Sequence, residues 1–248
     1  GRMEYAQCGA VLLTTSSQLM HKPPQPSDMT DEFYKKAVGG TNASIGVSMS
    51  ANISQNAPLA ESINGYVDDT NNIYPNVGHR LSILDYSATS TSFGYAGKSG
   101  VVDMFIAWNA KRDDDFTAWP SAGYFPTQSI DKNAKWSIGF DSTKYYRASD
   151  IEITIKANNK EYSSKNGDFS VYFDSSFSAN YFALPTELIE YLSDGKNEIQ
   201  SNKNVEVELR GLADCYGNAY VIKYPIEFIS AIKYQTGDIN ADGKINSK

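Results

Sequence analysis

The chain is poor in histidine, cysteine and clustered cations, and each shortage excludes something. Only two histidines occur among 248 residues, His21 and His79, so any imidazole chemistry must use them. Only two cysteines occur, Cys8 and Cys215, and they form no C-x-x-C pair. They could close one long disulfide, which in the chain-entropy model contributes about 5 kcal/mol, or stay free and buried. The net charge is −7 and no basic cluster exists, which argues against nucleic acid and anionic membrane as partners. No apolar run reaches the length that spans a bilayer. No signal peptide is visible, so an exported form must lose its signal upstream. No G-x-S-x-G elbow occurs among the many serines.

What is present suits a packed, exported protein. Hydrophobic residues make up 41 % and aromatics 12 %, enough for a core. The seventeen tyrosines suit extended amphipathic strands. The length fits one large domain or two modest ones.

The two halves follow different patterns. In the first, Glu4 to Ser17 places Ala6, Ala10, Val11 and Leu13 at helical spacing. Pro23-Pro24-Gln25-Pro26 then breaks the chain. Asp28 to Val38 reads as a second helix capped by Asp28 or Thr30, and Gly39-Gly40 is expected to end it. Leu59 to Val67 is a third, short helix. Leu81 to Tyr86, Ser92 to Ala96 and Val101 to Trp108 read as strands. Helices followed by antiparallel strands predict an α+β fold. In the second half, Ile151 to Lys156, Phe169 to Phe173, Val205 to Arg210 and Tyr220 to Phe228 alternate apolar and polar residues. Asp214 to Asn218 is a turn, and Thr186 to Leu192 a short helix after Pro185. This spacing suits a small Ig-like β-sandwich with one solvated face. The boundary is expected in the aperiodic stretch from Pro126 to Lys135, with a linker at Lys233 to Gly237.

His21 follows the first helix, and His79 sits in Asn76-Val77-Gly78-His79-Arg80, ten residues after Asp68-Asp69. Two imidazoles and a carboxylate can hold a metal such as zinc, or act as base and orienting acid on a water. The plainer reading makes both histidines ordinary hydrogen-bonding residues.

The strings His21-Lys-Pro-Pro-Gln-Pro, Met29-Thr-Asp-Glu-Phe-Tyr, Gly65-Tyr-Val-Asp-Asp69, Asn76-Val-Gly-His-Arg80 and Trp119-Pro-Ser-Ala-Gly-Tyr-Phe-Pro126 occur in that order. Together they resemble a bacterial CAP domain, of the SCP-like extracellular family, over roughly residues 4 to 127. The resemblance implies an α-β-α sandwich with a cleft holding two histidines and acids, often able to bind zinc or another divalent ion. His21 and His79 match the family histidines, and Asp69 matches its second acid, with Asp68 one position away. The family's first acid aligns with Ala51, so it is absent here; Glu61 is a candidate substitute. The family's first helix has no counterpart upstream of residue 4, so an N-terminally truncated CAP domain is expected. The family shares no one reaction, having been linked to peptidase action, sterol or lipid binding, glycan association and protein recognition.

The last residues read Asp238-Ile-Asn240-Ala-Asp242-Gly243-Lys244-Ile-Asn246. This is a calcium-loop pattern, in which oxygen side chains at alternate positions converge on a hard cation and Gly243 permits the turn. Asp238, Asn240, Asp242 and Asn246 are the candidate calcium ligands, and the acid expected at the twelfth loop position is missing. The string Gly237-Asp-Ile-Asn-Ala-Asp-Gly-Lys-Ile-Asn-Ser resembles the opening of a dockerin, the module that plugs extracellular proteins into cohesins on cellulosome scaffolds. The resemblance implies calcium as cofactor of an intact dockerin and a cohesin as partner. The segment is expected to be the stump of such a module.

Weaker candidates remain. Asp113-Asp114-Asp115 reads as a solvated charge run. Trp108 suits core packing, while Trp119 and Trp136 could pack or stack on sugars. Asn42-Ala-Ser and Asn52-Ile-Ser are glycosylation sequons on paper. The expected organisation is a CAP-like α-β-α domain at residues 1–127, an Ig-like β-sandwich at 128–233, and linker with partial dockerin loop at 234–248. Three functions stay open. The first is a secreted cellulosome accessory protein whose cleft binds a glycan, peptide or other small ligand. The second is a metal-assisted, peptidase-like hydrolase using His21, His79 and Asp69. The third is a purely structural surface protein. Ala51 in place of an acid favours the first.

Overall fold

A computed structural model describes residues 2–42, 50–70, 76–106 and 114–230. In chain order the elements are α1 (Arg2–Thr14), α2 (Asp31–Thr41), β1 (Ser50–Ser54), α3 (Leu59–Asp68), α4 (Gly78–Ile83), β2 (Ala88–Ala96), β3 (Ser99–Ile106), β4 (Phe116–Trp119), β5 (Gly123–Pro126), β6 (Trp136–Phe140), β7 (Tyr145–Ala157), β8 (Lys160–Ser163), β9 (Val171–Asp174), β10 (Ala179–Phe182), α5 (Thr186–Ser193), β11 (Lys203–Asp214) and β12 (Ala219–Ile229). The class is mixed α+β, with more sheet than helix. Trp108, Asp113 and the calcium-loop residues Asp238, Asn240, Asp242 and Asn246 lie outside the described residues.

The described chain separates into two compact units, and not by a single cut at residue 127. The described residues within 1–119, 137–146 and 172–181 form the first, and those within 120–136, 147–171 and 182–230 form the second. Strands β6, β9 and β10 are the reason. They pair with β4 in a four-stranded sheet of order β4-β6-β10-β9, and so carry later segments back to the first unit.

In the first unit, α1 carries two apolar stripes. Ala6, Ala10 and Leu13, at helical spacing, pack with Ile53 of β1 and Val101 of β3. Cys8 and Leu12 pack with Ala37 and Val38 of α2. Glycines allow this close approach. A Cβ built on Gly40 would stand 2.1 Å from the Tyr5 carbonyl oxygen, and one on Gly94 of β2 would stand 2.0 Å from that of Ala6. This corrects the expectation that Gly39-Gly40 ends α2. The helix continues to Thr41, because the missing side chain at Gly40 serves the contact with α1 and not a turn. At its other end Thr30 is the cap, accepting a hydrogen bond from the Phe33 amide at 3.3 Å.

A three-stranded antiparallel sheet of order β1-β3-β2 underlies α1. Alternation along β3 sends Val101 toward α1 and its neighbour Val102, with Met104, to the opposite face. There they meet Tyr66 of α3 and Ile83 of α4. Helices therefore cover both faces of this sheet. The segment from Leu81 to Tyr86, expected as a strand, opens inside α4. Its run of apolar residues is too short for periodicity to decide between helix and strand, and tertiary capping decides it.

The second unit holds a five-stranded sheet of order β5-β12-β11-β7-β8. The alternation read from the sequence is the burial pattern observed. Ile153, Ile155, Val205, Val207, Leu209, Ile222, Tyr224 and Ile226 are buried, and the residues that alternate with them along each strand face outward. Trp136 is buried against Phe182 and Phe228, with ring centroids 6.4 and 6.2 Å away, so it is a core residue and not a sugar platform. Leu188 and Leu192 bury the apolar face of α5.

Candidate functional site

The residues singled out by sequence do not converge on one point, but two of them meet. Asp69 ends α3 in the left-handed conformation, with φ 52°. It is buried, and both of its oxygens are used. Oδ1 lies 2.8 Å from Nδ1 of His79, while Oδ2 accepts from the backbone amides of His79 at 2.9 Å and Arg80 at 3.3 Å. The second pair of bonds satisfies amides that the first turn of a helix leaves without partners, so Asp69 caps α4 from a distance. Val77, the residue before α4, has φ 42°, which is costly for a β-branched side chain.

With Nδ1 donating to Asp69, the neutral His79 ring carries its lone pair on Nε2. The His79 side chain is 29 % exposed against 1 % for that of Asp69. Its ring packs at 5.3 Å from that of Tyr66, whose hydroxyl donates to the Gly100 carbonyl at 3.2 Å. Burial pushes the Tyr66 phenol well above its ordinary range.

Arg80, next in sequence, is a structural cation. It is fully buried. Nε donates to the Val67 carbonyl at 2.5 Å and Nη2 donates to that of Asp68, so the guanidinium satisfies the carbonyls at the end of α3. Its plane faces Trp119, 5.8 Å from the ring centroid. Desolvation lowers its pKa to about 10, against the opposing pull of Asp69 and Asp68. It therefore remains a cation at neutral pH. The adjacency of Gly78, His79 and Arg80 was the signal for this role, but only the positions of the α3 carbonyls reveal it.

His21 is exposed and stands elsewhere. Its Nδ1 lies 2.6 Å from the carbonyl oxygen of Thr41, and its own carbonyl accepts from the Thr41 hydroxyl at 2.7 Å. This pair ties the segment after α1 to the end of α2. Ala51 lies on β1 on the same face as Ile53, whereas Asn52 faces α4 and donates to Ser82 and to the Val102 carbonyl, each at 3.1 Å. Asn52 is buried, so its sequon is closed in the folded protein. Glu61 points to solvent on α3. Among the described residues no group of three or more His, Cys, Asp or Glu side chains stands together in a form able to hold a metal. His21, His79 and Asp69 as placed thus do not form a three-ligand zinc site. Both cysteines are free thiols, Cys8 buried and Cys215 exposed. Asp115 pairs with Lys144 at 2.8 Å, consistent with a structural charge. Among the described residues no helix is long and apolar enough to cross a membrane.

A scan against models of protein families gave no match, and neither did a comparison with curated proteins. Among solved structures, one neighbour is the endo-beta-1,4-mannanase from Thermotoga petrophila. It is 13 % identical, with the match covering 51 % of this chain and 22 % of that one at a TM-score of 0.26. A likeness that low carries no argument about fold or activity.

Proposed function

We propose that the chain is an accessory, non-hydrolytic component of an extracellular cellulosome. On this reading the first unit is a CAP-like domain whose cleft beside His79 binds a glycan or peptide. The second is an Ig-like module, and the dockerin-like sequence attaches the protein to a cohesin through calcium. Calcium belongs to that loop through Asp238, Asn240, Asp242 and Asn246.

One observation carries the non-hydrolytic part. Asp69, the acid that a metal or an attacking water would require, spends both oxygens on the His79 ring and on the amides that start α4. Ala51 stands where a second acid would be needed, and an alanine neither ligates nor accepts a proton. The order of the motifs from His21 to Pro126 supports the CAP assignment, and the wording of residues 237–247 supports the dockerin.

A second reading has its own support. A histidine whose Nδ1–H is held by a carboxylate presents Nε2 as a base or ligand, as in many metal and hydrolytic sites. The hydrolase reading therefore rests on the Asp69–His79 pair, and zinc held by His21 and His79 would require His21 to leave its contact with Thr41. Calorimetric titration of zinc into the whole chain, beside the His21→Ala, His79→Ala double variant, separates the two. The accessory reading expects no histidine-dependent binding. Micromolar or tighter binding that the double variant loses overturns it.

A further inference from the structure

The second unit has a groove that the reading above does not use. It measures about 650 Å³ and lies on the outer face of the five-stranded sheet. That volume falls within the range of small-molecule and cofactor sites. Register places its floor. Tyr124 of β5 is the partner of Glu227 on β12, which is in turn the partner of Asn204 on β11, so these three form one row across the sheet. Pro225 and Glu206 form the next row. The β7–β8 turn, with Asn158 and Asn159 both at positive φ, and Lys156 beside Glu161 close one end.

The chemistry of this lining is specific. Tyr124 is 70 % exposed, an unusual cost for an aromatic ring on a sheet that buries its other face well. The same groove is lined by three amides, Asn158, Asn159 and Asn204, and by charges of both signs. Those charges are largely internally compensated. Lys156 pairs with Glu161 at 3.3 Å, Lys160 pairs with Glu187, and Glu206 pairs with Lys223 at 3.0 Å. An anion would face the glutamates and a cation the lysines, so neither is favoured. An aromatic face with amide donors and acceptors and a near-balanced field suits a neutral, polyhydroxylated ligand. One face of a sugar ring offers C–H groups to the tyrosine, and its hydroxyls pair with the amides and carboxylates.

We infer that the outer face of the five-stranded sheet, centred on Tyr124 and Asn204, is a binding site for neutral glycan chains. The site lies within the second unit alone and does not depend on His79.

Native gel electrophoresis of the full chain through gels containing hydroxyethyl cellulose, glucomannan, arabinoxylan or mixed-linkage β-glucan tests it, with polygalacturonate as an anionic counterpart. At least one neutral polymer is expected to retard the protein. Tyr124→Ala should weaken that retardation at least about tenfold in apparent affinity, the loss of one good stacking contact. Tyr124→Phe should keep most of it, and Tyr216→Ala, at an exposed tyrosine outside the groove, should leave it unchanged. Equal thermal melting of the variants shows that the fold is intact. No retardation by any neutral polymer, retardation by polygalacturonate alone, or retardation indifferent to Tyr124→Ala each overturns the inference. Retardation abolished by His79→Ala but not by Tyr124→Ala also overturns it, while supporting a glycan in the first unit's cleft.

Discussion

Asp69 and Arg80 cap each other's helices. The Asp69 carboxylate accepts from the amides that begin α4, including that of Arg80 at 3.3 Å, and the Arg80 guanidinium donates to the Val67 and Asp68 carbonyls that end α3. The two helix ends meet head to tail. The partial positive charge at the start of α4 faces a carboxylate, and the partial negative charge at the end of α3 faces a guanidinium. His79 is fixed in orientation because it lies between them in sequence and shares the same carboxylate.

Removing the carboxylate should therefore loosen two elements at once. Asp69→Ala is expected to cost about 2–3 kcal/mol, a helix cap plus a charge-assisted hydrogen bond to the His79 ring. Asp69→Asn, which retains one acceptor, should cost less. Urea unfolding of the two variants measures both. Equal stability of Asp69→Ala and the parent would show that the caps are supplied otherwise.

Arg80 is the more severe site. Arg80→Ala leaves carbonyls and neighbouring carboxylates without their buried cation, and about 3–5 kcal/mol is the expected loss. Arg80→Lys should recover little, since an ammonium cannot span the two carbonyls while facing Trp119. Full recovery by lysine would mean that charge alone matters.

Two glycines in the first unit should respond in opposite directions to alanine. Gly40→Ala puts a methyl 2.1 Å from the Tyr5 carbonyl, against backbone that cannot yield, and should destabilise by about 1–3 kcal/mol. Gly65→Ala, in α3 with nothing within 4 Å of its Cβ, should stabilise by about 0.5–1 kcal/mol through helix propensity. Thermal melting of the pair gives both signs in one experiment.

The β11–β12 turn carries a pH dependence. Asp214 is held below its ordinary value of 3.8, first by the Asn218 side chain and then by backbone amides that include Asn218 and Tyr216. A carboxyl whose folded pKa is depressed contributes stability that is complete above 3.8 and is lost as pH falls through the lower folded value. Asp214→Asn should thus lower the melting temperature modestly at neutral pH, and the difference from the parent should close in strong acid. A difference that stays constant down to strong acid would contradict this.

The second half was the more legible in sequence. Ile151 to Lys156 and Val205 to Arg210 alternate because one face of the sheet is dry and the other wet, and that contrast is written directly in residue type. Thr30 as a cap and Thr186 to Leu192 as a helix were legible for similar local reasons. The segment at Leu81 was not. Its helix exists because Asp69, far back along the chain, supplies its missing acceptors, and no local pattern carries that fact. Gly40 is ambiguous in sequence because glycine permits both a turn and a close contact, and only the position of α1 distinguishes them.

In the candidate site, residue identity sets which side chains are available: two histidines, the Asp68-Asp69 pair and an alanine where the resemblance expects an acid. It also sets the wet and dry faces of the second unit's strands, since alternation is a property of neighbours in the chain. Tertiary structure alone decided that Asp69 joins His79 and not His21, that Arg80 is buried beneath two helix ends, and that Tyr124, Glu227 and Asn204 stand in one row. Hydrogen bonding and strand register relate residues tens or hundreds of positions apart, and their distances are set by packing and not by spacing along the chain.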